Sequence, residues 1–434
     1  MRLEGTSLKS DFVKFVVPSV VAQWVFALYT MVDGIFVAKG VSEVSLTAVN
    51  IVTPYIMALY AASILFAVGT STIVAILLGQ KKEKSACEVF TQNIVGLVIV
   101  SMIITAAVLC NLERVALFLG ATETNMQYVL DYLGAITPFS GLFILCYSFE
   151  TLIKTDGYPK IATMIVTTGA LLNVVLDYLM VMRWNMGIRG AAVATGISNL
   201  VLIGLYLTHF LGKKGVIKFT RFRWNFPLIW RQIRNGISSG ITELSTGAII
   251  FLFNQMILRY LDESALVSYT IISYMNSIVI MSMVGIVQGY QPLVSYHYGK
   301  EQPDICRKLF LYGVAAVTAV TAAAGIVCLG FADGIVGLFL SRDMTALYRY
   351  TVQVLRIFAL SFLVAGYNVV ISGYFTAVEY AAAATVISLS RSLVVLLGSL
   401  VLLTMVFGGE GIWWSPLLSE CITLMLTVGF LVFG

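Results

Sequence analysis

Long uninterrupted runs of apolar residues, separated by short polar stretches, recur along the whole chain. Twelve are long enough to cross a hydrocarbon core of about 30 Å as helices. They lie near residues 12–38, 45–78, 89–112, 124–153, 159–182, 190–211, 228–260, 265–297, 308–331, 344–373, 379–406 and 411–433. Several exceed the ~20 residues that a perpendicular helix needs, so tilt or extension beyond the bilayer is expected. The runs show no alternation of period two, which argues against a transmembrane β-barrel. The pattern predicts an all-α integral membrane protein of twelve transmembrane helices.

Composition agrees. Of 434 residues, 59% are hydrophobic and 11% charged, against about 25% charged in an ordinary soluble domain. The net charge of +5 needs no nucleic-acid partner, because the basic residues sit in the loops, where topology requires them. With the N-terminus taken as inside, 18 of the 27 Lys and Arg residues fall in cytoplasmic segments and seven in the opposite ones; Arg356 and Arg391 lie within spans. That excess puts both termini in the cytoplasm of a multi-pass plasma-membrane protein. The polar stretch MRLEGTSLKSDFVKF leads straight into the first span, so no removable signal peptide is expected. Six scattered cysteines, with no CxxC, predict neither a disulfide framework nor a metal cluster.

The two halves repeat. GTSTIVAILLGQ at 69–80 matches GYQPLVSYHYGK at 289–300, with paired glycines offset by 220 (69 and 289, 79 and 299). SLTAVNI at 45–51 falls on ALVSYTI at 265–271 with the same offset, and GIRG at 187–190 on GGEG at 408–411, offset by 221. A near-constant offset across six spans points to a duplicated six-helix unit. Both copies start on the same side, so a pseudo-two-fold along the membrane normal should relate them. The expected domains are a lobe over 1–211, a basic cytoplasmic linker over 212–227 and a second lobe over 228–434.

The polar residues inside the spans carry the candidate chemistry, since an intramembrane ionisable group is costly without a purpose or a partner. Asn173 and Asp177 stand four apart and share a helix face. A polar turn from Arg183 to Arg189 reverses the chain, and Thr195 follows in the next helix. Counting outward from residue 186 sets Asp177 and Thr195 at about the same depth. Asp33, near the outer end of the first span, lies at a comparable depth. These four oxygen-bearing side chains could form a site for a hard monovalent cation or a proton. The alternative is that they only hydrogen-bond neighbouring helices. Glu243, deep in the seventh span, and Asn276 in the eighth are candidates for a substrate or second coupling site. Asn254, Gln255 and Gln288 make the same region polar.

Other charged residues read as structural. Arg356 and Glu420 lie at depths that allow an ion pair, and Arg391 lies deeper. Glu150, Lys154 and Asp156, near a cytoplasmic helix end, are expected to snorkel or cap. His209 and His297 close spans and suggest no catalysis. Pro18, fifteen residues before Asp33 in one helix, is expected to bend it. An enzyme would need metal ligands or a nucleophile–base pair in the spans; HExxH does not occur, and neither histidine lies deep in a span.

The chain resembles the multidrug and toxic compound extrusion (MATE) transporters of bacterial and archaeal type. The stretch VDGIFVAKGVSEVSLTAVNI, the GQ of LLGQKKE and DGYPK at 156–160 carry the resemblance, together with Asp33, Asn173, Asp177 and Thr195. The last four match the family's first-lobe cation site in type and spacing, and Pro18 matches the proline of its first helix. Glu243 is similar to the seventh-helix acid of the sodium-coupled branch. That branch also has an Asp in the tenth span, where Tyr367 and Asn368 stand here, which favours the first-lobe site. The resemblance implies a secondary antiporter, monomeric and without a cofactor. It would export amphiphilic or cationic compounds in exchange for H⁺ or Na⁺. The rival reading is a lipid-linked precursor flippase of related two-lobe design. A cavity lined with cationic groups would suit that reading, whereas the first lobe's buried charges are acidic.

Overall fold

The computed structural model describes residues 7–40, 43–341 and 345–433. Arg2 and Arg342 of the charge count, and Val41 and Ser42 of the quoted motif, lie outside the described residues. Twelve membrane-length helices follow one another: α1 (Leu8–Val37), α2 (Thr47–Gly79), α3 (Glu83–Leu109), α4 (Met126–Thr155), α5 (Pro159–Arg183) and α6 (Gly187–Leu211), then α7 (Phe226–Tyr260), α8 (Ser264–Gly299), α9 (Pro303–Gly330), α10 (Ala346–Ala377), α11 (Ala381–Phe407) and α12 (Glu410–Val432). No strand occurs among the described residues. Length and composition explain the helices. In hydrocarbon every backbone N–H and C=O must be satisfied within the segment, which leaves helix as the solution for a single apolar run.

The duplicated glycines turn out to be where the two lobes touch. A Cβ added at Gly79 would stand 2.1 Å from the Tyr296 carbonyl oxygen, and one at Gly299 would stand 2.2 Å from that of Ile76. Each of these contacts is the other shifted by 220 residues. A second pair behaves alike: Gly289 lies on Val16 and Gly285 on Val20, while Gly236 lies on Leu65 and Gly69, and Gly240 on Leu65. With the same shift, 16 becomes 236, 20 becomes 240, 65 becomes 285 and 69 becomes 289. The interface is therefore isologous, as a two-fold axis requires. All of these positions lie in the halves of α1, α2, α7 and α8 nearest the N-terminus. On that side backbone meets backbone, and only glycine allows the approach.

Polar bonds fasten the same half. Gln288 of α8 accepts from Gln23 (3.0 Å) and from Lys154 (3.0 Å), and donates to the Tyr147 hydroxyl (2.8 Å). Trp24 donates to Ser282 (2.8 Å), and Gln291 to Thr72 (3.2 Å). Lys154 does not snorkel. Its side chain is buried at 1% exposure and its ammonium also bonds Glu150 at 2.5 Å. Asp156 does more than end a helix. It is fully buried, pairs with His209 (2.9 Å) and accepts from the backbone N–H groups of Val216 (2.9 Å) and Ile217 (3.2 Å). Gln92 likewise holds Asn225 through both its amide atoms. The segment joining α6 to α7 is thus strapped to the first lobe, because its backbone groups need partners that a lone extended strand cannot supply.

In the second lobe Arg231 grips Glu379 with two bonds (2.7 and 2.6 Å) and Asn235 adds a third at 2.8 Å. Burial works against the Glu379 charge, but these donors hold its carboxyl below the usual glutamate range.

The α1 helix runs through Pro18 without a break in its hydrogen-bonded assignment, and the Pro18 carbonyl accepts from Thr163 of α5 at 2.7 Å. The helix is continuous at Pro18 and is braced there from the α5 side.

Gly236→Ala would push a methyl group against the Leu65 carbonyl. We expect it to destabilise the protein by about 1–3 kcal/mol, as overpacking does, read as a lower unfolding temperature in detergent. Gly247→Ala, with nothing near its Cβ, should be neutral or stabilising.

Candidate functional site

The α5–α6 hairpin brings its polar residues together. Asn173 and Asp177 are buried on α5, and the Asn173 amide donates to the Thr195 hydroxyl of α6 at 3.4 Å. The Thr195 hydroxyl in turn donates to the Ala191 carbonyl (3.1 Å). The register departs from the one counted along the sequence, because Asn173, rather than Asp177, faces Thr195. The cause is a π-helical segment, Tyr178–Arg183, that follows Asp177 directly. Its wider i→i+5 winding spends extra residues before the turn, as in the Trp184 N–H bond to the Leu179 carbonyl.

Asp33 of α1 meets this hairpin, and its carboxyl and that of Asp177 lie within interaction range. Asp177 is 0% exposed. Among the described residues, neither of its carboxylate oxygens has a hydrogen-bond partner, nor do Asp33 Oδ1 and Asn173 Oδ1. Four acceptor atoms on three residues therefore lie together without donors. Such acceptors are costly to bury unless a cation or a proton joins them. All are hard oxygen ligands of the kind that hold a small cation, and the two carboxyl groups also form a pair able to share a proton.

Two tyrosines lie near this group, and a third lies beside one of them. Tyr132 of α4 is near both carboxyl groups. Tyr29 of α1 is near Asp33 and shares a hydrogen bond with Tyr60 of α2. Tyr60 stands edge-on to Phe26 and to Phe143 (ring centroids 6.1 and 5.7 Å). The sequence held one clue to this shell, since Tyr29 is four residues before Asp33 and so on its face of the helix. Nothing local marks Tyr60 or Tyr132.

Glu243 of α7 is half-buried, on the second lobe's side, within electrostatic range of Tyr60 and Tyr147. Asn276 of α8 is also half-buried. Among the described residues no hydrogen bond joins it to Glu243.

Comparison with known proteins decides the family. The family model MatE matches twice, over residues 18–179 and 240–401, once in each half of the chain. The chain belongs to the MATE transporter family. It is 24% identical to the multidrug export protein MepA of Staphylococcus saprophyticus, over 96% of this chain and 92% of that one. Against MepA of Staphylococcus haemolyticus the identity is 23%, over 99% and 94%. A solved structure described as the outward-facing conformation of a multidrug resistance MATE family transporter superposes with a TM-score of 0.92. It is 20% identical and the match covers 100% of this chain and 97% of that one. A Pyrococcus furiosus transporter of the same superfamily, described as having a binding pocket of reverse polarity, gives 0.90 at 20% identity. The chain is thus a multi-pass membrane protein of a transporter family, and its twelve helices match that fold.

Within this MATE chain the second lobe treats its buried acid differently. Glu420 of α12 pairs with Arg391 of α11 at 2.7 Å, and its other oxygen accepts from Asn368 of α10 at 2.8 Å. The Thr427 hydroxyl then donates to the side-chain amide oxygen Oδ1 of Asn368 (3.0 Å). The pairing of Glu420 with Arg356 expected from depth does not form. Arg356 is exposed, whereas Arg391 lies in a π-helical segment, Ser390–Val394, that faces α12. Here the acid has its own built-in cation.

Arg391→Met should leave Glu420 buried and unpaired, lowering stability by about 3–5 kcal/mol. Adding Glu420→Gln should recover most of that loss. Thermal unfolding of the single and double variants in detergent checks both expectations.

Proposed function

We propose that this chain is a secondary active antiporter that exports amphiphilic, often cationic compounds across the plasma membrane in exchange for H⁺ or Na⁺. The observation that carries the reading is the unpartnered carboxylate of Asp177, facing Asp33 beside Asn173 and Thr195. These four residues bind the coupling ion. The second lobe's Glu420, already neutralised by Arg391, does not. The MepA relatives are named multidrug export proteins, which supports the substrate class.

The lobes, 1–211 and 228–434, rock about their shared interface as a monomer, with the basic linker 212–227 between them. In the arrangement described above, the glycine contacts and the Gln288 bonds close the N-terminal side. The excess of Lys and Arg makes that side cytoplasmic, so the acids of the first lobe are reached from outside. Incoming H⁺ or Na⁺ neutralises Asp33 and Asp177, removes their hold on a cationic substrate, and lowers the cost of closing the outer side over them. Coupling requires that the ion bind the two states with different affinity. Pro18, whose carbonyl is braced by the Thr163 hydroxyl of α5, is the point at which α1 can bend as that happens. Glu243 and Asn276, with the rings of Tyr29 and Tyr60, offer counter-charge and aromatic faces to an organic cation. No cofactor takes part.

The energetics suffice. One charge moved across ~100 mV yields about 2.3 kcal/mol, and one pH unit about 1.4 kcal/mol. One proton per neutral substrate can therefore sustain a gradient of several hundredfold, on the order of 3.7 kcal/mol; for a monovalent cation the electrical contributions cancel and about tenfold per pH unit remains.

Proteoliposomes loaded with a fluorescent organic cation, with pH and sodium gradients imposed separately, test the proposal. Asp33→Asn and Asp177→Asn should each reduce gradient-driven efflux to background while the protein remains folded. Efflux at the unaltered rate in both variants would end the first-lobe reading, and the gradient that drives transport identifies the ion.

A further inference from the structure

Two short helices lie outside the twelve spans, one in each lobe, at the face opposite the N-terminus. The first, Leu112–Leu119, follows α3. The second, Ala332–Gly337, follows α9 and continues as a hydrogen-bonded turn to Leu340. Their sequences repeat, with VALFL at 115–119 and VGLFL at 336–340, offset by 221. Each copy buries one face. Ala116 packs with Leu112 and Val115 in the first lobe, and Ala332 and Val336 join the core of the second. The other face carries a Leu–Phe pair in both copies. Leu117 and Phe118 are 59% and 89% exposed, and Leu338 and Phe339 are 83% and 47% exposed. Phe339, the least exposed of the four, stacks on Tyr274 of α8 (ring centroids 5.9 Å). Glu113 and Arg114, also exposed, stand four residues before Leu117 and Phe118 and share their stripes of the helix. That surface changes from charged in the first turn to apolar in the second.

Leaving such surface in water is unfavourable. Both α3 and α9 lead into these helices with exposed apolar side chains, among them Met102, Ile103, Ile326, Val327 and Phe331. In a membrane-spanning chain these face lipid, so the Leu–Phe pairs prolong a surface that lipid already covers. Large apolar side chains beside a charged turn, at the end of a span, suit the boundary between headgroups and acyl chains. We propose that the two Leu–Phe pairs are interfacial anchors, inserted into the lipid surface on the face opposite the N-terminus, one on each lobe. A second copy of the chain is the weaker occupant. The pseudo-two-fold sets the pairs on opposite sides of the molecule, so one dimer contact covers one pair and leaves the other bare. The bilayer surrounds the molecule and covers both. Each lobe thereby holds the bilayer surface on its own, and this anchoring does not depend on the transport reading.

Photocrosslinking of the full-length protein in phosphatidylcholine liposomes tests the anchors. The photoreactive p-benzoylphenylalanine replaces Phe118, Phe339, Ile103 or Glu123, one position at a time, and intact-protein mass spectrometry counts lipid adducts after irradiation. Ile103 of α3 is the reference for lipid contact. Glu123, exposed in the polar turn just beyond the first short helix, is the reference for water. Positions 118 and 339 should approach the yield at 103 and exceed that at 123 about tenfold, since burial of one large apolar side chain biases its position by that order. A gel-filtration profile matching the wild type's controls for folding of each variant. Either of two results would overturn the proposal: lipid adducts at 118 or 339 no more frequent than at 123, or a covalent dimer as the main product at either position. No gradient is imposed, and lipid is present in both leaflets, so a failure here leaves the transport and orientation readings untouched.

Discussion

A carboxylate removed from water must find a donor, a cation or a proton, and the two lobes of this protein meet that demand in different ways. In the second lobe Glu420 is closed off by Arg391 and Asn368, and its charge is answered within the chain. In the first lobe Asp177 is fully buried beside Asp33 and has no donor among the described residues. Unlike a satisfied ion pair, these oxygens are left without a partner among the described residues. A duplicated fold has thus become chemically asymmetric. One copy holds a structural charge pair, and the other holds buried acceptors with no donor among the described residues.

That asymmetry matters because the lobes are joined by a symmetric seam. Glycines at 69, 79, 236, 285, 289 and 299 let backbones approach within ranges no side chain permits. Close-packed surfaces of this kind separate as a whole or not at all, which makes the interface suited to two states rather than a continuum. Gln288 adds polar bonds to Gln23, Lys154 and Tyr147 at the same seam. Its position places a residue of the second lobe against the helix that carries Glu150 and Lys154 in the first. The α1 helix carries both Asp33 and the Val16–Val20 contact surface of this seam.

The departures from expectation share a cause. Lys154 and Asp156 read as end-of-helix charges when only depth is considered. In the folded chain other elements arrive to cover them, namely Gln288 for the lysine and the strap at 216–217 for the aspartate. Glu420 finds Arg391 instead of Arg356 because partner choice depends on the face each helix turns inward. A π-helical segment sits at Arg391 and another follows Asp177. Such segments alter facing by a fraction of a turn, which no apolar pattern records.

Much was legible in the residues alone. Apolar run lengths marked all twelve helices, because hydrocarbon admits little else, and each observed helix overlaps the run that predicted it. The 220-residue offset between paired glycines marked a duplication, and a near-invariant spacing survives only when each copy keeps its own packing. Asp33, Asn173, Asp177 and Thr195 stood out because polar groups in lipid are expensive. What the sequence could not determine was which of these atoms meet. The pairing of Asn173 with Thr195, the orphaned oxygens of Asp177, the neutralised Glu420 and the tyrosines around Asp33 depend on helix rotation and on contacts between residues far apart in the chain. Only the tertiary structure decides those, because a side chain's partner is set by the packing of whole helices and not by the sequence around it.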